Sequence, residues 1–202
     1  MTPDEIHFFD LLAVRWDDEE IKSTPEKISL VLDAIGVAAG QSVLDLGTGT
    51  GVLIRPLLSR IGPQGRLTAI DASGGMLERA IAKHRAEKGV RFVLADFEEQ
   101  PVEGRYDLIM LYCVYPHLSR PLETLRRLWS DNLSPGGRIA LAFPSDEKFI
   151  NAIHRRRRNS DLLDSDILPP APVLAQMLRS ASIPAEATDA GDDVYIVIIG
   201  RS

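Results

Sequence analysis

The chain has 202 residues, 45% of them hydrophobic, and its 23 Lys and Arg stand against 29 Asp and Glu for a net charge of −6. That is the mix of a globular domain long enough to bury a core, and its acidic balance argues against a general nucleic-acid binder, which needs a basic surface. The single cysteine, Cys113, excludes an intrachain disulfide framework and any multi-cysteine zinc site.

The opening Met1-Thr2-Pro3-Asp4-Glu5 is acidic and lacks the basic region of a signal peptide, and no apolar run approaches the roughly 20 residues that cross a bilayer. A cytoplasmic location is the resulting expectation. Ile6, Phe9, Leu12 and Ala13 recur at helical spacing, with Phe8 and Trp16 adding bulk nearby. A second helix is expected after Thr24, an N-cap followed by Pro25, with Ile28, Val31, Leu32 and Ile35 on one face and Gly36 as its stop. Residues 1–40 therefore read as a helical cover belonging to the same domain as residues 41–202.

Beyond Gly40 strands and helices alternate. Ser42 to Leu46 reads as a buried strand running into a glycine cluster, and Thr50 to Arg60 as a helix. Strands follow at Arg66 to Ile70, Val90 to Leu94, Tyr106 to Leu111 and Arg138 to Phe143. Helices are expected over about Gly74 to Glu87 and Pro121 to Trp129, the second followed by the turn Ser134-Pro135-Gly136-Gly137. Such alternation means a doubly wound, mostly parallel α/β sheet, with ligands gathered beyond the carboxyl ends of the strands. The tail changes rhythm. Helices at about Ser145 to Arg157 and Pro172 to Ala181 flank the polar stretch Asn159 to Pro170, and strands at Ala185 to Thr188 and Val194 to Ile199 are joined by the turn-like Asp189 to Asp193. Seven strands with an antiparallel last one follow from this reading.

The chemistry concentrates in Asp45-Leu46-Gly47-Thr48-Gly49-Thr50-Gly51. Three glycines at alternate positions after a buried strand let the main chain turn sharply and let a ligand approach the backbone. Asp45 sets a carboxylate beside that approach, where it would face an ammonium and where a phosphate would gain nothing. Asp71 ends the second strand, in the place where an acid takes both hydroxyls of a ribose, and Asp96-Phe97 ends the third. An aspartate there can accept from the amino group of a purine. Each acid alone is compatible with a helix cap or a surface position. Three at the ends of three successive strands describe a pocket for an adenosine bearing an amino-acid-like tail.

On these residues the chain resembles the class I S-adenosylmethionine-dependent methyltransferases. Asp45 to Gly51 is similar to the family's first motif, Asp71-Ala72-Ser73 with Met76-Leu77 and Ala80 to its second, Asp96-Phe97 to its adenine-binding acid, and Leu133 to Gly137 to the turn before its fifth strand. The stretch His7-Phe8-Phe9-Asp10 with Trp16-Asp17 looks like the start of the ubiquinone/menaquinone-type small-molecule members. The resemblance implies S-adenosyl-L-methionine as cofactor, S-adenosyl-L-homocysteine as product and a Rossmann-like fold. It implies Gly47 and Gly49 against the methionine moiety, with Asp45 near its ammonium, and Gly51 among the cofactor-binding residues. It further implies Asp71 on the ribose, Ala72, Met76, Asp96 and Phe97 around the adenine, and Leu111 on the methionine side. No metal is required, because transfer from a sulfonium is an in-line displacement driven by positioning and desolvation.

The acceptor side is sparser. His117 follows the fourth strand and can serve as a general base, or can merely shape the pocket. Phe9, Trp16 and Tyr115 are candidate acceptor contacts, against the alternative that the aromatics pin the first helix to the core. Cys113 reads as a small buried hydrophobe. The run His154-Arg155-Arg156-Arg157-Arg158 reads as a solvated helix end, with an acidic acceptor as the other reading. Two competing functions remain. A nicotinamide-dinucleotide-dependent oxidoreductase would share the sheet and the ribose acid, but its fingerprint wants glycine at position 52, where this chain has Val52. A non-catalytic S-adenosylmethionine-binding protein would keep every motif. Methyl transfer to a small-molecule acceptor, with no nucleic-acid partner, is the leading expectation.

Overall fold

A computed structural model describes residues 1–18, 23–157, 167–188 and 194–200. Seven strands form one sheet: β1 (Ser42–Leu46), β2 (Arg66–Asp71), β3 (Val90–Leu94), β4 (Tyr106–Tyr112), β5 (Leu133–Phe143), β6 (Ala185–Ala187) and β7 (Tyr195–Gly200). Their order is β3-β2-β1-β4-β5-β7-β6. The pairs among β1 to β5 are parallel, and β7 runs antiparallel between β5 and β6. The sheet is therefore the doubly wound, mostly parallel α/β fold expected, with its reversed final strand one place in from the edge.

Alternation along the strands makes two cores. Leu44, Leu46, Ile109, Leu111, Ile139 and Leu141 face one side, and Val43, Leu108, Met110, Ala140 and Ala142 the other. The first core packs α5 (Pro121–Arg127) and α7 (Ala171–Ser180) through Leu125, Leu174 and Leu178. The second packs α2 (Pro25–Ile35) and α3 (Ile54–Ile61) through Val31, Leu32, Leu53 and Leu57. Leu32, Leu44, Leu57 and Leu108 are fully buried, and truncating any of them to Ala costs about 2–5 kcal/mol. Both faces are covered, which is why these strands read as continuous apolar runs.

Local chemistry sets the helix ends. Thr24 caps α2 by accepting from the Lys27 amide at 3.3 Å, and Gly36 ends it with φ +75°, as expected. Thr2 begins α1 (Pro3–Leu12) in a capping box, accepting from the Glu5 amide while the Thr2 amide donates to Glu5 Oε2 at 3.0 Å. Ser73 caps α4 (Gly74–Lys83), so that helix starts where predicted and stops one turn early, at His84. A short 3-10 turn, Trp16–Asp18, lies between α1 and α2.

Three expectations shift. The helix after the glycine cluster begins at Ile54, not Thr50, because left-handed glycines hold the preceding residues in turns. Trp129 lies outside α5, in a wide π turn over Leu128–Asn132. The turn Ser134 to Gly137 lies inside β5 and not before it. It loops out between the Tyr106–Leu133 and Leu108–Arg138 pairs, where a Cβ on Gly137 would sit 2.9 Å from the Tyr106 carbonyl. Arg158, residues 159–166 and the turn over residues 189–193 lie outside the described residues, as does the Arg157 side chain. Helix α6 (Glu147–Arg157) precedes them.

Candidate active site

The order β3-β2-β1-β4 reverses direction of travel at β1, and the crevice beyond the carboxyl ends of β1 and β4 is where such sheets bind ligands. A cavity opens there. Its floor is the turn after β1. The amides of Gly47 and Thr48 both donate to the Ile70 carbonyl, at 2.8 and 3.0 Å, which lashes the turn to β2. Gly47 and Gly49 hold φ of +69° and +56°. A Cβ on Gly47 would lie 2.6 Å from Val114, whereas one on Gly49 would meet nothing nearer than Trp16 Nε1 at 3.9 Å. Gly47 thus keeps β1 and the β4 exit loop together, and Gly49 leaves room in front of bare backbone.

Two buried carboxylates flank this floor. Asp45 is 2% exposed and accepts from Thr48 Oγ1 at 2.7 Å. Burial pushes its carboxyl up to about 7, against the Thr48 hydrogen bond and with the help of nearby Asp71. Asp71 is held between the Gly49 amide at 2.7 Å and the Ser73 amide at 2.8 Å, and burial raises it to about 6 despite those bonds. A desolvated carboxyl of this kind gains when a cation or a hydrogen-bond donor arrives beside it. An ammonium beside Asp45 and hydroxyl donors beside Asp71 would favour both ionised forms. The residues present therefore fit an amino-acid-bearing nucleoside.

Ala72, Met76 and Phe97 line the same cavity, as do Gly47 and Gly49. Four expected residues do not. Gly51 packs against His84, whose ring would lie 2.8 Å from a Cβ there. Leu111 points into the Leu44 core, because strand alternation gives the cavity Tyr112 and the exit loop Cys113-Val114 instead. Asp96 turns its carboxylate to the N-terminal ammonium of Met1 at 3.3 Å and to the Glu98 amide at 2.9 Å. Tyr115 is buried in the core beside Leu118, away from the cavity, and burial raises its phenol.

The N-terminal segment forms the roof. Phe9 and Trp16 line the cavity with their rings 5.5 Å apart, edge to face. Two aspartates outside the predicted site, Asp10 and Asp17, fasten the segment. Asp10 accepts from Ser73 Oγ at 2.5 Å and the Gly75 amide at 2.9 Å, which also holds its carboxyl below the usual range. Gly75 permits this approach, since a Cβ there would already be 3.1 Å from the Asp10 carbonyl. Asp17 accepts from Thr50 Oγ1 at 2.6 Å and Lys83 Nζ at 2.7 Å.

At the other end, Cys113 leaves β4 with φ +60°, rare for a residue with a side chain, and burial drives its thiol far above the ordinary range. It is a neutral wall and not a thiolate. His117, on the 3-10 turn Tyr115–His117, lines the cavity too. Glu98 fixes the loop that carries it: its buried carboxylate accepts from the amides of Ser119 and Arg120, each at 2.9 Å, and from Thr124 Oγ1 at 3.1 Å. The sequence signal for Glu98 was only its place two residues beyond Asp96.

Residues 43–137 match a family profile described as a methyltransferase domain. Over 147 residues the chain is 33% identical to an uncharacterized transposon-encoded protein of Streptomyces fradiae, covering 71% of this chain and 40% of that one. It is 37% identical over 101 residues to a malonyl-acyl-carrier-protein O-methyltransferase of Halalkalibacterium halodurans, covering 48% and 36%. The chain thus spans well under half the length of either relative. The structure superposes on that of a SAM-dependent methyltransferase from Aquifex aeolicus with a TM-score of 0.71 at 21% identity, over 100% of both chains. The matched segment contains the whole glycine turn, both buried acids and His117, while the roof residues Phe9, Asp10, Trp16 and Asp17 lie before it. Among the described residues no cluster of His, Cys, Asp and Glu could hold a metal ion, and no helix is long and apolar enough to cross a membrane.

Proposed function

We propose that this chain is an S-adenosylmethionine-dependent methyltransferase acting on a small-molecule acceptor by in-line transfer, releasing S-adenosylhomocysteine. The observation that carries the reading is the pair Asp45 and Asp71, buried and desolvated on either side of a turn whose backbone is bare at Gly49. Bound S-adenosylmethionine supplies a methyl group on a sulfonium. The chain's residues do the rest: Asp45 holds the ammonium, Asp71 the ribose hydroxyls, and Ala72, Met76 and Phe97 enclose the base. Phe9 and Trp16 keep water out from above, which strengthens every charge interaction beneath them. No cationic side chain lines the cavity among the described residues, apart from the N-terminal amine of Met1. That suits a sulfonium, which gives up its positive charge as the methyl leaves.

Residues 1–18 serve as a roof of the same domain, and His117 takes the acceptor's proton. The O-methyltransferase named above supports an oxygen acceptor. A dinucleotide would bring a diphosphate against Asp45, and Val52 stands in the cavity wall where its fingerprint needs glycine. Titration calorimetry decides between them. S-adenosylhomocysteine is expected to bind at one site and NAD to give no heat; the reverse result overturns the proposal.

A further inference from the structure

A second cavity adjoins the first, lined by Thr2, Asp4, Glu5, Phe8, Phe9, His117 and His154. Phe9 and His117 are common to both, so together they form the partition between them. The His117 ring is clamped. Phe9 meets it edge-on with centroids 5.1 Å apart, and His154 of α6 stacks on it at 5.1 Å and 29°. Its Nδ1 is buried without a hydrogen bond and faces Glu5 Oε1 at 3.7 Å, while Glu5 Oε2 is tied down by the Thr2 amide and hydroxyl. The capping box of α1 therefore also aims a carboxylate at one nitrogen of the imidazole, leaving Nε2 for a proton on the acceptor.

Resting on the function proposed above, we infer that this second cavity is the acceptor site, that its occupant is a flat, uncharged aromatic hydroxyl compound, and that Glu5 is a positioning residue for His117. The chemistry of the walls selects that class. Phe8, 42% exposed, and Phe9 stand at 74° to each other and offer an aromatic guest both face and edge contacts, with the stacked His117 and His154 rings closing the wall beside them. Asp4 and Glu5 stand at the first turn of α1 and repel a carboxylated or phosphorylated ring. A hydroxyl needs a base at the partition, as an amine with a free lone pair does not. In the step itself the hydroxyl proton passes to His117 Nε2. The acceptor oxygen bonds to the methyl carbon, and the sulfur–carbon bond breaks with its electron pair on sulfur, so a neutral acceptor, a sulfonium and an imidazole become a methyl ether, a thioether and an imidazolium.

The test begins with the full chain saturated with S-adenosylhomocysteine, whose own binding heat reports separately on the function proposed above. Calorimetry then follows 2-naphthol, 2-naphthoate and cyclohexanol. The expected result is naphthol binding about 10-fold or more tighter than naphthoate, from the nearby carboxylates, with no measurable cyclohexanol binding. Phe8→Ala should weaken naphthol about 5-fold and leave S-adenosylhomocysteine affinity unchanged. Equal binding of naphthoate, no naphthol binding by the loaded protein, or an indifferent Phe8→Ala variant overturns the acceptor site. For Glu5 the readout is 15N NMR of the His117 ring in that same complex. The wild type and Glu5→Gln should keep the proton on Nδ1, and Glu5→Ala should move it toward Nε2. A ring indifferent to Glu5→Ala overturns the positioning role.

Discussion

The two ends of the cavity are built from different materials. At the β1 and β2 end, main chain does most of the work: the Gly47 and Thr48 amides grip Ile70, the Gly49 amide grips Asp71, and two acids wait beside them. At the β4 end, side chains from distant parts of the chain meet around one ring, with Glu5 and Phe9 from α1, His117 from the exit loop and His154 from α6. Backbone geometry tolerates few substitutions and fixes one ligand chemistry. A side-chain cluster can be rebuilt residue by residue, which is how one fold serves many acceptors. The contrast predicts severe, all-or-none losses at the first end and graded ones at the second.

The largest effect is expected at Gly47. Gly47→Ala must place a Cβ 2.6 Å from Val114 at a positive φ, so it should cost about 2 kcal/mol or more in denaturant unfolding and abolish S-adenosylhomocysteine binding. A variant that binds normally would break the contrast. Asp45→Asn comes next, with S-adenosylhomocysteine affinity falling about 100-fold by calorimetry through loss of a charge-assisted bond. The folded state should not weaken, because the removed carboxylate is desolvated and lacks a cation.

The pH dependence follows from the same acids. Asp45 and Asp71 are raised in the folded protein, so their contribution to stability is complete at low pH and fades as pH climbs from about 4 through 6 and 7. Buried His84 is shifted downward and works the other way, since the folded state disfavours its charged form. Thermal melts at pH 5 and 8 compared between wild type and Asp45→Asn isolate the carboxylate. The variant should show the smaller loss of stability toward pH 8. The smallest effect belongs to the roof latch. Lys83→Met removes an exposed ion pair to Asp17 and should raise the S-adenosylhomocysteine dissociation constant only about 2-fold.

The same contrast explains what the sequence disclosed. Asp45, Gly47, Gly49, Asp71 and Met76 sit at fixed short spacings after strands, and their pocket was legible because each strand end delivers its residue to one edge of the sheet. Gly51 has the motif's spacing but lies against His84, since a motif cannot say which glycine lines the cavity and which packs beside a neighbouring helix. Leu111 lies one residue before the cavity-lining Tyr112, and in a strand one residue changes face. Glu5 and His154 stand 112 and 37 residues from His117 along the chain, so no local pattern links them. The capping box at Thr2 and Glu5 was readable as a helix start, yet its second role exists only once α1 has docked on α4 through Asp10.

Calorimetric titration of the purified chain with S-adenosylhomocysteine at pH 6 and pH 8 tests the central claim most directly. If Asp45 and Asp71 ionise to receive the ligand, it binds at one site at both pH values, more tightly at pH 8, and releases protons to the buffer at pH 6. Absence of binding at both pH values, or affinity that falls as pH rises, would contradict it.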